Sequence, residues 1–348
     1  MSRCIYILMI FLFFSCKKEE ESSFSEDYGA GMYILTNQGI SFFNGAQVES
    51  GIYNKVNNKS TYNLKKIKFS GDIGCFINDN QITVVDANTF EDLGSINRFN
   101  NPVDFDFVYG NRILVADKDI SKVREVDLAA LDIISTIETG DSTKPTFLIS
   151  NSFRSFVMNS GMEESINKDS TVISIDFVDG IVPIANFSGN MIVGDNPNSA
   201  VINDRVIVLS GGVNITGSTA NNTESSITEI NQYTNAVYNT TTLSGIFNAS
   251  NLVKNYNGNI LYFTDDNAIY SMSVNNYIPN TLLNIRSNIL RPKLEQVSTS
   301  DTSFVYYDML YMNDLDNPNV IYKYNLDLSI YEDSIYVDGS VIDFNFYK

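Results

Sequence analysis

The stretch QITVVDANTFEDLGSI (Gln81–Ile96) followed by NPVDFDFVYGNRILVAD (Asn101–Asp117) decides how the chain is read. It consists of short β-branched and aromatic runs separated by clusters of Asn, Asp and Gly, without a helical period. The strand TVVD ends in a small polar residue, Asp86, and strands with the same ending recur. They are SFFN to Asn44, REVD to Asp127, ISID to Asp176, TEIN to Asn231, YSMS to Ser273 and YKYN to Asn325. Counting TVVD, seven copies stand 41 to 55 residues apart. A period of about 40 to 50 residues holding several short strands is that of a β-propeller blade. The terminal Asp or Asn has a local reason: its side chain accepts from backbone amides two or three residues on and closes the turn into the outer strand.

A second set of apolar strands precedes the copies, from Leu64–Phe69 in the second unit to Leu294–Val297 in the seventh. One further member, Val341–Tyr347, ends the chain with no unit after it, while the first unit (Met32–Leu35, Ile40–Asn44) has none before it. Ring closure resolves both: the C-terminal strand enters the first blade as its innermost strand and removes an open sheet edge. The expected fold over residues 30–348 is therefore all-β, a seven-bladed β-propeller of four-stranded antiparallel blades.

With these repeats the chain resembles the YVTN-type or YncE-like seven-bladed propellers found among surface lipoproteins of Bacteroidota. The resemblance covers roughly residues 30–348, is good in the second and third blades and weak in the fourth, fifth and seventh. It implies an architecture and leaves function to the site.

The N-terminus reads as an export signal. Arg3 is followed by the apolar run Cys4–Phe14, too short to remain as a membrane span, then by Ser15 and Cys16. A small residue directly before a cysteine is the arrangement of a lipobox. Residues 1–15 are expected to be removed, Cys16 to carry the lipid, and residues 16–29 to form an acidic tether opening with Lys17, Lys18, Glu19, Glu20 and Glu21. That run is similar to the signal that routes Bacteroidota lipoproteins outward. The expected place is the outer membrane, lipid-anchored and at the cell surface, with its periplasmic face as the alternative.

A net charge of -18 argues against nucleic acid or an anionic lipid surface as a partner, since both call for a basic face. Histidine is absent, which removes Ser-His-Asp triads, Cys-His pairs and His-ligated zinc. On that ground the chain is expected not to be an enzyme and to need no cofactor. Of three cysteines only Cys75 belongs to the mature domain, inside the apolar run Ile73–Ile77, where it reads as a small buried hydrophobe.

Excess length points to a binding surface. Units four, five and seven exceed the base period, and the extra residues are assigned to the second-to-third strand connections: Ser160–Ser170, Gly211–Ser225 and Met309–Asn319. Candidate ligand contacts are Met162, Glu163, Asn214, Tyr311, Met312, Asn313, Asp314 and Asp316. Asp314 and Asp316 alternate as calcium ligands can, without the glycine and closing Glu of an EF-hand loop. Asp265 and Asp266, and likewise Asp117 and Asp119, read as solvated turn residues. The expected function is capture of a small molecule, such as a corrinoid, or of a glycan, for an outer-membrane TonB-dependent transporter. The alternatives are a protein-interaction scaffold and a propeller hydrolase or lyase.

Overall fold

The computed structural model of the chain describes residues 28–162, 168–177, 185–215, 221–300 and 303–347, so Cys16, most of the tether and Glu163 lie outside it. Seven antiparallel sheets of four strands form the ring. Its innermost strands are, from blade one to blade seven, Val341–Tyr347, Leu64–Ser70, Pro102–Val108, Pro145–Ser150, Pro197–Ile202, Ser250–Lys254 and Leu290–Ser300. Turns joining strands one to two and three to four lie on one face, here the lower. Turns joining strands two to three, and the links between blades, lie on the upper.

Strand periodicity explains why the apolar runs are continuous. Successive side chains point to opposite sheet faces, and each blade is covered by a neighbour on both. In Ile73–Asn78, Phe76 packs between blades one and two, whereas Cys75 and Ile77 pack between blades two and three. Each of the seven blade interfaces has its own apolar cluster, and that between blades seven and one gathers Met32, Ile34, Met309, Ile321 and Phe344. Cys75 is fully buried and free, and burial pushes its thiol well above the ordinary range.

The C-terminal strand closes the ring. Val341–Tyr347 pairs with Gly31–Thr36 from Gly31↔Tyr347 to Thr36↔Val341. Buried Asp343 reaches both neighbouring blades: it accepts from Ile67 N of blade two at 3.1 Å and from Arg291 Nη2 of blade seven at 2.6 Å. Equivalent bridges recur, with Leu148 N donating to Asp104 at 2.9 Å and Leu252 N to Ser199 Oγ at 3.0 Å.

Six of the seven recurring polar residues close their turns as expected: Asn44, Asp86, Asp127, Asn231, Ser273 and Asn325 accept from amides two or three positions on. The seventh, Asp176, pairs with Arg154, and the turn that follows it lies outside the described residues. One element is additional and two expectations are corrected. The link from blade one to blade two holds a short helix, Ile52–Asn57, fixed by buried Ile52 and by Tyr53, whose hydroxyl donates to Asp92 at 2.7 Å. Asp117 is fully buried rather than solvated, accepting from Asn100 N and Asn101 N. In blade seven Met309–Asn313 are the end of an eleven-residue second strand, Ser303–Asn313, so the excess lengthens the lower-face hairpin instead of an upper-face loop. The pairing runs further than in a base-length blade, to Ser300↔Ser303. The blade-four and blade-five excesses do lie between second and third strands.

Deleting residues 341–348 is expected to abolish the cooperative unfolding transition, whereas deleting residues 17–27 leaves the melting temperature unchanged. Asp343→Ala strands Arg291 and Ile67 N and should cost about 3–5 kcal/mol, read from urea unfolding.

Candidate functional site

A cavity of about 460 Å³ runs along the propeller axis and is lined from all seven innermost strands. Its charged residues come from short alternating motifs. In LKKIKFS, Ile67 turns into the core between blades one and two, while Lys66 and Lys68 on either side of it line the cavity. The motif DFDF places Asp104 and Asp106 on blade three by the same period, and blade one repeats it as DFNF with Asp343 and Asn345.

The cations differ in how they are satisfied. Lys68 meets Asp104 at 3.1 Å and Asp106 at 3.6 Å. Arg291 is held by Asp343 and donates from Nε to Phe344 O at 3.0 Å. Lys254 donates to Ile202 O and Asn203 Oδ1, both at 2.5 Å. Lys66 stands apart: its nearest ion-pair partner is Asp343 at 4.0 Å, beyond hydrogen-bond reach, and its side chain is only 23% exposed.

Titration follows from this geometry. Burial pulls the Lys66 ammonium below the ordinary lysine value, only partly opposed by Asp343, and Arg291 and Lys68 add repulsion. Burial also acts to lower Lys68, but Asp104 and Asp106 outweigh it and hold that ammonium above the ordinary value. Burial, with Asp104 beside it, raises Asp106 despite Lys68. Between the lowered value of Lys66 and 10.5 the folded chain binds fewer protons than the unfolded one, so this residue opposes folding at neutral pH and the penalty fades as pH rises through that window. An anion beside Lys66 would reverse the effect.

Clefts also open on the lower face, two of them beside tyrosines that donate to glutamates. One of about 740 Å³ lies between blades five and six, where Tyr277 donates to Glu229 at 2.5 Å and Arg205 pairs with the same carboxylate. The other, about 330 Å³, lies between blades seven and one and contains Tyr311.

The residues nominated from sequence do not converge. Met162 is exposed on the upper face, its carbonyl accepting from Lys168 at 2.7 Å. Asn214 accepts from Asn222 Nδ2 within its own loop at 3.1 Å. Tyr311 is buried, donating to Glu295 at 2.5 Å, with its hydroxyl held far above the ordinary tyrosine range first by burial and then by that carboxylate. Met312 belongs to the core between blades six and seven, and Asn313 is fixed by Ser287, Asn288 and Ile289. These three were placed in a loop because the blade-seven strand was cut short. The two calcium candidates are also occupied: Asp314 accepts from Asp316 N and Asn317 Nδ2, and Asp316 pairs with Arg286 at 2.9 Å. Among the described residues no group of three or more His, Cys, Asp or Glu side chains converges as a metal site. What sequence reasoning missed is Lys66, Lys68, Asp104, Asp106, Arg291 and Asp343. For all of these but Arg291, which precedes the assigned Leu294–Val297, the available signal was charge at alternating positions in strands already assigned to the innermost layer.

No family model matches the chain, and no curated protein matches it. Solved structures do, at low identity. A protein from Lactobacillus plantarum aligns with TM-score 0.67 and 12% identity over 92% of this chain and 100% of its own. A candidate 6-phosphogluconolactonase from Bacteroides fragilis gives TM-score 0.63 and 12% identity, covering 93% of this chain and 99% of its own. The periplasmic gluconolactonase of Pseudomonas aeruginosa gives 0.63 and 13%, covering 92% and 99%. These likenesses establish the seven-bladed propeller fold. They also overturn the expectation that the chain is not an enzyme, because propellers similar to it are named as gluconolactonases and as a dihydro-heme d1 dehydrogenase. The physical error was to treat absent histidine as absent acid–base chemistry, which lysine, tyrosine and carboxyl side chains also perform.

Because Tyr311 is a packing residue, Tyr311→Phe is expected to cost about 1–3 kcal/mol by leaving Glu295 short of a donor. Urea unfolding reads the loss, and affinity for any axial ligand should not change.

Proposed function

We propose that the chain is a lipid-anchored envelope protein whose propeller binds a small anionic, polyhydroxylated molecule in the axial cavity and presents it to an outer-membrane transporter. The observation that carries this reading is Lys66: a largely buried side chain whose ammonium has no hydrogen-bond acceptor among the described residues, facing a cavity also lined by Lys68, Lys254 and Arg291. In a chain of net charge -18, so many cations around one cavity favour a carboxylate or phosphate there. Asn198, Asn251 and Asn345 line the same cavity and supply amides suited to hydroxyl groups. A cavity of about 460 Å³ lies within the usual range for small-molecule sites and suits a sugar acid or sugar phosphate better than a corrinoid or a long glycan. The neighbours named as gluconolactonases support the same ligand class, since their named substrates are lactones of sugar acids. Anchoring through Cys16, an outer-membrane location and a TonB-dependent transporter as partner belong to this reading.

Titration calorimetry with gluconate, 6-phosphogluconate and glucose tests it. The two anions should bind and glucose should not, with affinity falling at alkaline pH below the ordinary lysine value as Lys66 loses its proton. Lys66→Met should lower anion affinity about tenfold or more, equivalent to about 1.4 kcal/mol, while stability stays level or rises. Equal binding of glucose and gluconate, or full affinity in Lys66→Met, would overturn the proposal.

A further inference from the structure

We infer that the lower-face cleft between blades five and six is a second binding site, which takes a short uncharged oligosaccharide. It shares no lining residue with the axial cavity.

An arginine opens the second strand in three consecutive blades. Arg112 and Arg154 pair across the sheet with the recurring polar residues Asp127 and Asp176, and Arg205, one step before the Val206↔Ile230 pair, stands opposite Asn231. In blades three and five a glutamate two residues before the polar residue, Glu125 or Glu229, pairs with that arginine. The surroundings differ. The blade-three pair is shut in, its side chains 10% and 4% exposed, whereas Arg205 is 49% exposed. Arg154 is also buried, because the strand-three-to-four turn of blade five covers it: its Nη1 donates to Gln232 O at 2.9 Å, Tyr233 O at 3.1 Å and Asn235 Oδ1 at 2.7 Å.

Local sequence explains why blade six does not cover Arg205 in the same way. The turn reads NQYTN (Asn231–Asn235) in blade five and SVNNY (Ser273–Tyr277) in blade six. Gln232 ties the inner turns of blades four and five together, accepting from Asn151 Nδ2 at 3.0 Å and donating to Asn203 O and Asp204 O, both at 3.1 Å. Val274 stands in its place and has no side-chain group for such bonds. Asn235, whose amide oxygen accepts from Arg154, gives way to Tyr277, whose hydroxyl donates to Glu229 at 2.5 Å instead. Both residues hold a left-handed backbone, φ 62° and 50°, so the turns are alike and the side chains make the difference. The guanidinium that blade four uses on its neighbour is thus left lining a cleft of about 740 Å³.

The groups that satisfy Arg154 from blade five are uncharged oxygens, and the cleft has room for others in their place. Arg205 is held ready for them, with Nη1 on Glu229 and its guanidinium over the Tyr238 ring at 4.8 Å, while Nε and Nη2 have no partner among the described residues. Around it stand side chains that both donate and accept: Asn239 and Thr241 on the fourth strand, Asn257 on the inner turn, Asn275 and Asn276 on the outer turn. The amides of Asn257 and Asn275 make no hydrogen bond among the described residues. Such groups match hydroxyls, each of which is one donor and two acceptors. Arg205 and Glu229 cancel in charge, and Asp204 adds a carboxylate that disfavours an anion. Ile207 and Val274 are the only aliphatic side chains of the lining, so a peptide would find no apolar pocket for an anchor. Because the polar groups extend from the inner turn to the outer strand, a chain of sugars reaches them together and a single ring does not.

Titration calorimetry of the full chain with cellotriose, maltotriose and mannotriose tests the site. At least one should bind, glucose should not, and excess 6-phosphogluconate should leave the trisaccharide in place. Arg205→Met should weaken binding about tenfold or more. Asn257→Ala removes an amide without an internal partner, so it should keep the melting temperature of the parent and still weaken binding about fivefold. Absence of binding by all three trisaccharides, or binding unchanged in both variants, would overturn the site. Displacement by 6-phosphogluconate would put the sugar in the axial cavity and overturn it as well. A blocked alanine tripeptide that binds where the trisaccharides do not assigns the cleft to a protein partner, with the same result.

Discussion

The structure depends on one strand being supplied from the far end of the chain. Gly31–Thr36 would otherwise present a bare inner edge, and the seven interface clusters would have no reason to close into a ring. The backbone ladder to Val341–Tyr347 provides the closure, and Asp343 secures it by reaching Ile67 on one side and Arg291 on the other. A buried carboxylate is costly unless paired and hydrogen-bonded, and here it has both a cation and a backbone amide. Ser340 N, donating to Asn37 Oδ1 at 2.8 Å, adds a further tie at the upper end of the same blade.

The same inner layer carries the candidate site, and for a related reason. Residues of an innermost strand pack on one side and border the axis on the other, so a polar side chain placed there is partly dehydrated and must find a partner. Asp104, Lys68 and Arg291 have found theirs within the protein. Lys66 has not: its nearest carboxylate, Asp343, stands 4.0 Å away.

Much of the architecture was legible because its determinants are local. Asp86 and Asn231 each close a turn with their own side chains, so their repetition marks the blades irrespective of anything distant. The unpaired first unit and the unpaired last strand likewise fixed the closure. The site was less legible because its determinants are not local. Tyr311 and Met312 looked like loop residues until the full pairing of Leu290–Ser300 with Ser303–Asn313 put them in a strand, and a polar tract at its turn hid that length. Lys66 and Arg291 lie far apart in sequence and approach only through the ring, and Asp117 is buried by contacts with a link whose path the sequence did not reveal. The helix Ile52–Asn57 is a single element too short to leave a period.

Closure by the last strand also orders events in time. Blades two to seven are each continuous in sequence and can pair as they emerge, whereas blade one stays a three-stranded sheet with an open edge until residues 341–347 are present. Its most distant contacts carry the largest loop-closure cost and form last, so the ring commits only after residues 341–347 have been made. A chain built this way keeps the inner edge of its first blade open, and its ring uncommitted, for as long as residues 341–347 are missing.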